Sequence, residues 1–124
     1  MVMGPARKIL VVDDNEALAE NIAEVLALDG HSTAITVTAE EGLALAIEVR
    51  PDVVVTDSRL PGINGADFVK RLRGTHLRVR AIVISAHLDE RTIQDAVDAG
   101  ATFLPKPVDF AILSRLVRED GSLA

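Results

Sequence analysis

The sequence predicts an α/β fold built as a doubly wound parallel sheet. Two observations carry this. Short, continuous, β-branched runs recur along the chain, at Ile9 to Val12, Val53 to Val55 and Ala81 to Ile84, as strands covered on both faces require. Amphipathic helical patterns separate them, so strand and helix alternate five times, the signature of right-handed βαβ units.

The first strand, Ile9 to Val12, leads into a helix with Leu18, Ile22, Val25 and Leu26 on one face and Glu16, Glu20 and Glu24 on another. Asn15 is placed to cap its start, and Gly30 stands where a C′ glycine belongs. Ser32 to Val37 alternates and reads as an edge strand. Thr38 with Glu41 forms a capping-box pattern for a second helix ending near Arg50. After Val53 to Val55, a third helix runs from Gly65 or Ala66 to about Arg73, before Gly74. After Ala81 to Ile84, a fourth runs from Asp89 to Ala99, with Ile93, Ala96 and Val97 inward and Gly100 as terminator. Phe103-Leu104 is the fifth strand. Asp109 caps the fifth helix, and Val108 with Leu113 has hydrophobic-staple spacing.

The 124 residues fit one domain, taken as 1–124 with a core of about 7–118. With 48% hydrophobic and 26% charged residues the chain is globular. It has no Cys, which excludes disulfides, thiolate catalysis and thiolate metal sites. A net charge of −6 disfavours direct contact with nucleic acid, and three Phe as the sole aromatics leave no base-stacking platform. Met1 to Lys8 lacks a signal-peptide apolar run, and no stretch reaches the ~18 apolar residues of a membrane span. A cytoplasmic location without membrane contact is expected.

In a parallel sheet every strand ends on the same edge, where open α/β folds place their sites. The first strand ends in Asp13-Asp14, the third in Thr56-Asp57, the fourth in Ser85, and the fifth in Lys106 after Pro105. Taken singly, the acids read as turn or cap residues, Ser85 as a satisfied loop hydroxyl and Lys106 as a solvated charge. Together they bring three carboxylates, a hydroxyl and an ammonium to one edge. Three close carboxylates repel, and a hard cation relieves them; oxygen ligands suit Mg²⁺ or Mn²⁺. Cation, ammonium and hydroxyl donor together suit a phosphoryl group, with Asp57 as a candidate nucleophile.

Val11-Val12-Asp13-Asp14-Asn15, Asp57 through Gly65, Ile84-Ser85-Ala86 and Phe103-Leu104-Pro105-Lys106-Pro107 resemble the receiver domain of bacterial response regulators, roughly from Arg7 to Arg118. The resemblance implies a flavodoxin-like fold with five strands in order 2-1-3-4-5 and five helices. It implies a two-component signalling switch that takes a phosphoryl group from a histidine kinase or phosphotransfer protein, not an enzyme acting on other molecules. By position, Asp57 is the implied phospho-acceptor. Asp14 is a direct Mg²⁺ ligand, Asp13 an acid acting mainly through water, and the Arg59 carbonyl a backbone ligand. Lys106 pairs with phosphoryl oxygens, Ser85 is the switch hydroxyl and Phe103 the switch aromatic. The Lys106-Pro107 bond is expected to be cis. The surface of fourth helix, fifth strand and fifth helix is implied to meet an output partner or a second copy.

The chain departs from the family pattern at several positions. Asn64 replaces the more usual Asp, Phe103 the commoner Tyr, and the Gly100-to-Lys106 interval is one residue tighter. Ala101-Thr102 stand where an acidic pair is often found, and no DNA-binding segment is expected after Leu123-Ala124. An aspartate-nucleophile phosphatase is the competing enzyme class, but it commonly needs a second Asp where Arg59 stands. No G-x-x-x-x-G-K-[ST] is present. A receiver that binds its partner without phosphorylation is the third reading. Gly62 and Gly65 are expected to serve turn geometry. Lys70, Arg71, Arg73, Arg78 and Arg80, five of thirteen basic residues, read as a solvated face. His31, His76 and His87 are not spaced as metal ligands.

Overall fold

The structure, a computed structural model, describes residues 6–75 and 78–119. His76, Leu123 and Ala124 lie outside the described residues. The chain forms β1 (Lys8–Val12), α1 (Glu16–Leu28), β2 (Ser32–Thr36), α2 (Ala39–Val49), β3 (Val53–Asp57), β4 (Arg59–Leu60), β5 (Ile63–Asn64), α3 (Gly65–Gly74), β6 (Arg80–Ser85), α4 (Glu90–Asp98), β7 (Thr102–Pro105) and α5 (Phe110–Arg118). The five long strands make one parallel sheet in the order β2-β1-β3-β6-β7. Leaving out the short β4 and β5, this is the expected order 2-1-3-4-5, with β2 at the edge.

Strand alternation sorts the core into two layers. Ile9, Val11, Val53, Val55, Ile82, Ile84 and Leu104 pack against α1 and α5 through Ala19, Ile22, Leu26, Leu113 and Val117. Leu10, Val12 and Val54 face α2 and α3 through Ala46, Phe68 and Leu72. Ala81 and Val83 face α3 and α4 through Val69 and Ala96. Burying each of the Val, Ile, Leu and Phe side chains stabilises the fold by roughly 1.5–3 kcal/mol, which is why these apolar runs decide the topology. No helix among the described residues is long and apolar enough to cross a membrane.

Side-chain caps start every helix: Asn15 accepts from the Leu18 N–H, Thr38 from Glu41, Asn64 from Asp67, Asp89 from Thr92, and Asp109 from Ala111 and Ile112. Asn64, the departure noted above, is thus the cap of α3. At the second helix the Glu41 carboxylate meets the Thr38 hydroxyl at 3.1 Å, and Arg50 closes the helix at φ 50.

Two expectations are corrected. Val97 is 54% exposed rather than inward, while Ala96 is buried, because on α4 the stripe toward the sheet is narrow. Gly65 does not serve turn geometry: a Cβ there would overlap the Asp57 carbonyl oxygen, so only glycine lets α3 start this close to β3. Gly62, at φ 77 after Pro61, does serve a turn, between β4 and β5. In the basic segment, Arg73 and Arg80 are bonded to the fold and do not only face solvent. The Arg73 guanidinium donates to the carbonyls of Ala99 (3.0 Å), Val79 (3.1 Å) and Gly100 (3.1 Å), tying α3 to the C-terminal end of α4 and the start of β6. Arg80 pairs with Glu119 at 3.3 Å; Lys70, Arg71, Arg73 and Arg78 are exposed, as a solvated face requires.

Candidate phosphoryl-acceptor site

The crossovers from β1 and β3 diverge to opposite halves of the sheet, and the crevice outside their carboxyl ends is where such folds bind ligands. Asp13 follows β1, held by its backbone N–H on the Thr36 carbonyl at 3.1 Å. Asp14 follows it, exposed, and Asp57 ends β3, half-buried. Carboxylate oxygens of all three lie within 4.8 Å of one another.

Asp13 is fully buried. Its Oδ1 accepts from the Asn15 N–H at 2.9 Å, but its Oδ2 is buried without a hydrogen-bond partner. Burial pushes its pKa up to about 6; the Asn15 bond opposes this, the neighbouring Asp57 and Asp14 add to it, and Lys106 offsets part. A buried acceptor left unmet is expensive. A divalent cation, directly or through one of its bound waters, would satisfy that oxygen and relieve the repulsion, so these residues fit the Mg²⁺ or Mn²⁺ they were expected to hold.

Lys106 completes the charge arrangement: its Nζ lies 3.3 Å from Asp57 Oδ2. The tighter Gly100-to-Lys106 interval does not disturb the path. β7 pairs with β6 from Ile82↔Thr102 to Ser85↔Pro105, and the Lys106 N–H continues the ladder onto the Ser85 carbonyl at 2.8 Å. The Lys106-Pro107 bond is cis, as expected. Arg59 starts β4, with its backbone N–H 3.4 Å from Asp57 Oδ1 and its side chain exposed. Phe103 sits half-buried on β7 against the core layer of α3 and α4.

Ser85 is fully buried at the end of β6. Its hydroxyl receives the His87 N–H at 2.9 Å and donates to the His87 carbonyl at 3.2 Å. A buried neighbour, Ser58, donates to it at 2.6 Å. Ser58 was not singled out by sequence reasoning. The signal was in the register: β3 and β6 pair up to Asp57↔Ile84, and one more step sets Ser58 beside Ser85. Thr56, also buried, hydrogen-bonds the Asp57 carbonyl at 3.0 Å and was likewise missed.

The model of the response regulator receiver domain family matches residues 9–118. A response regulator receiver protein of Anaeromyxobacter sp. is 42% identical over 103 residues, covering 82% of this chain and 43% of the relative. The transcriptional regulatory protein FixJ of Rhizobium meliloti is 33% identical over 104 residues, 83% of this chain and 51% of that protein. The chain thus spans about half the length of the curated relatives it matches. The receiver domain of the Francisella response regulator 1452 superposes with a TM-score of 0.82 at 26% identity, over 90% of this chain and 93% of that one. The matched segment contains the acidic cluster, Ser85 and Lys106, and the chain belongs to the response regulator receiver domain family of two-component signalling.

Proposed function

We propose that the chain, as a single domain, accepts a phosphoryl group on Asp57 from a histidine kinase or phosphotransfer protein in the cytoplasm. The observation that carries this is the convergence of the Asp13, Asp14 and Asp57 carboxylates within 4.8 Å, with the Lys106 ammonium 3.3 Å from Asp57. An Asp57 carboxylate oxygen attacks phosphorus; the bond to the donor nitrogen breaks and its electron pair stays with the imidazole. Asp14, Asp57 and the Arg59 carbonyl would hold Mg²⁺ or Mn²⁺ directly, with Asp13 acting mainly through water, and the bound ion would neutralise charge on the phosphoryl oxygens. Lys106 holds an oxygen of the incoming group and offsets its charge. Afterwards Ser85 turns its hydroxyl to a phosphoryl oxygen and Phe103 follows inward, which reshapes the α4–β7–α5 surface for an output partner or a second copy. A hydrogen bond to a charged group is worth roughly 1.5–3 kcal/mol, which moves a two-state population about ten- to a hundred-fold. The chain's net charge of −6 disfavours direct contact with a nucleic-acid backbone.

The test is uptake from a small acyl or amidophosphate donor with Mg²⁺. Wild type should be labelled and Asp57→Asn should not; equal labelling of the two contradicts the assignment. In Ser85→Ala, uptake should persist while the amide responses of Ile93, Val97 and Phe103 weaken.

A further inference from the structure

The buried Ser58 hydroxyl donates to the Ser85 hydroxyl where β3 and β6 end side by side. A hydroxyl offers one hydrogen and two lone pairs. At Ser85 all three are in use: the Ser58 hydroxyl donates to it at 2.6 Å, the His87 N–H donates at 2.9 Å, and its own hydrogen goes to the His87 carbonyl at 3.2 Å. Ser85 therefore cannot donate to a group on Asp57 without giving up contacts it already has.

Ser58 cannot follow it. The Ser58 N–H donates to the Ile84 carbonyl at 2.9 Å, and its carbonyl accepts from the Gly65 N–H at 2.7 Å. Gly65 also abuts this segment: a Cβ there would lie 3.1 Å from Ser58 Cα. With its backbone pinned on both sides and its side chain buried, Ser58 holds a fixed donor against a partner that must move.

We propose that Ser58 is a positioning residue that holds the Ser85 hydroxyl in its resting arrangement and opposes its move toward Asp57, so that it sets how far the domain switches. The consequence for switching rests on phosphorylation of Asp57; the hold itself is a property of the unphosphorylated chain.

The test compares Ser58→Ala with the pair Ser58→Thr and Ser58→Val, which have the same size and differ in the hydroxyl. Hydrogen exchange of the His87 amide in unphosphorylated protein is read against the sheet amides of Leu10 and Val54, which report global stability. The loss of one neutral hydrogen bond should speed His87 exchange about 2- to 10-fold relative to those amides in Ser58→Ala and Ser58→Val, with Ser58→Thr near wild type. After treatment with acetyl phosphate and Mg²⁺, the Phe103 and Ile93 amides should lie further along the switching shift per bound phosphoryl in Ser58→Ala than in wild type. If His87 exchange keeps pace with Leu10 and Val54, or if Ser58→Thr and Ser58→Val behave alike, Ser58 exerts no hold. Should Ser58→Ala fail to fold, the Thr and Val pair decides alone. Wild type that takes up no phosphoryl group overturns the acceptor reading, while the exchange result still decides the hold.

Discussion

Lys106 Nζ meets Asp57 Oδ2 at 3.3 Å across 49 positions of sequence, with both side chains largely shielded from solvent. No local preference brings them together. The pairing follows from the register of β3 on β6 and of β6 on β7, which delivers Asp57, Ser85 and Lys106 to one edge. Lys106→Met keeps much of the side-chain bulk and removes the charge. Phosphoryl uptake by this variant should slow roughly 10²-fold, the scale of losing one preorganised charge donor. Unchanged uptake kinetics would remove Lys106 from the chemistry.

Asp13 carries a second expectation. Its carboxylate is buried, has one unpartnered oxygen, and is ionised above about pH 6 beside two other acids. Without divalent cation, Asp13→Asn should raise stability at pH 7.5 by about 1–3 kcal/mol, since a buried charge is replaced by a neutral amide. Mg²⁺ should then stabilise wild type and leave the variant nearly unmoved. Urea midpoints with and without Mg²⁺ check both statements. Equal Mg²⁺ responses would place the cation elsewhere.

Gly65→Ala should destabilise the fold by about 1–3 kcal/mol, the range for forcing a methyl into a packed site. The atom it would strike is the Asp57 carbonyl oxygen, so the acceptor itself must shift and phosphoryl uptake should fall as well. Normal uptake at normal stability would show that the approach of α3 to β3 is slack.

Most of this site was legible because its residues terminate strands. The β-branched runs ending in Asp13, Asp57 and Ser85, and the Pro105-Lys106 junction, each mark a position that parallel pairing alone converts into a neighbourhood. The caps at Asn15, Thr38 and Asp109 were legible because side-chain-to-backbone bonds are local. What stayed hidden depends on distant partners. Ser58 reads as an ordinary loop hydroxyl until the register places it at Ser85. Gly65 reads as a turn residue until α3 is seen against Asp57, and Arg73 as a surface charge until the three carbonyls around it are in view. Val97 has the right hydropathy for the core, but the α4 stripe that faces the sheet ends at Ala96 and Ala99.

His31 supplies a pH dependence remote from the acidic cluster. It is buried, and its Nδ1 accepts from the Arg7 N–H at 3.0 Å, a bond that only the neutral ring, protonated at Nε2, can make. Burial lowers its pKa below 6.5. The folded state therefore binds the proton less readily than the unfolded chain. The contribution is complete above pH 6.5 and is lost as pH falls below it. Between pH 7.5 and 5.5, wild type should lose more stability than His31→Gln; parallel profiles would assign the acid sensitivity to other groups.

Aspartyl phosphates are reduced by borohydride to homoserine, which marks the acceptor position in a peptide map. Wild-type chain treated with acetyl phosphate and Mg²⁺ and then reduced should carry homoserine at position 57 and nowhere else, with Asp57→Asn unmarked. Homoserine at position 13 or 14, or a phosphoryl group that persists through reduction on another residue, would contradict Asp57 as the acceptor and with it the proposed mechanism.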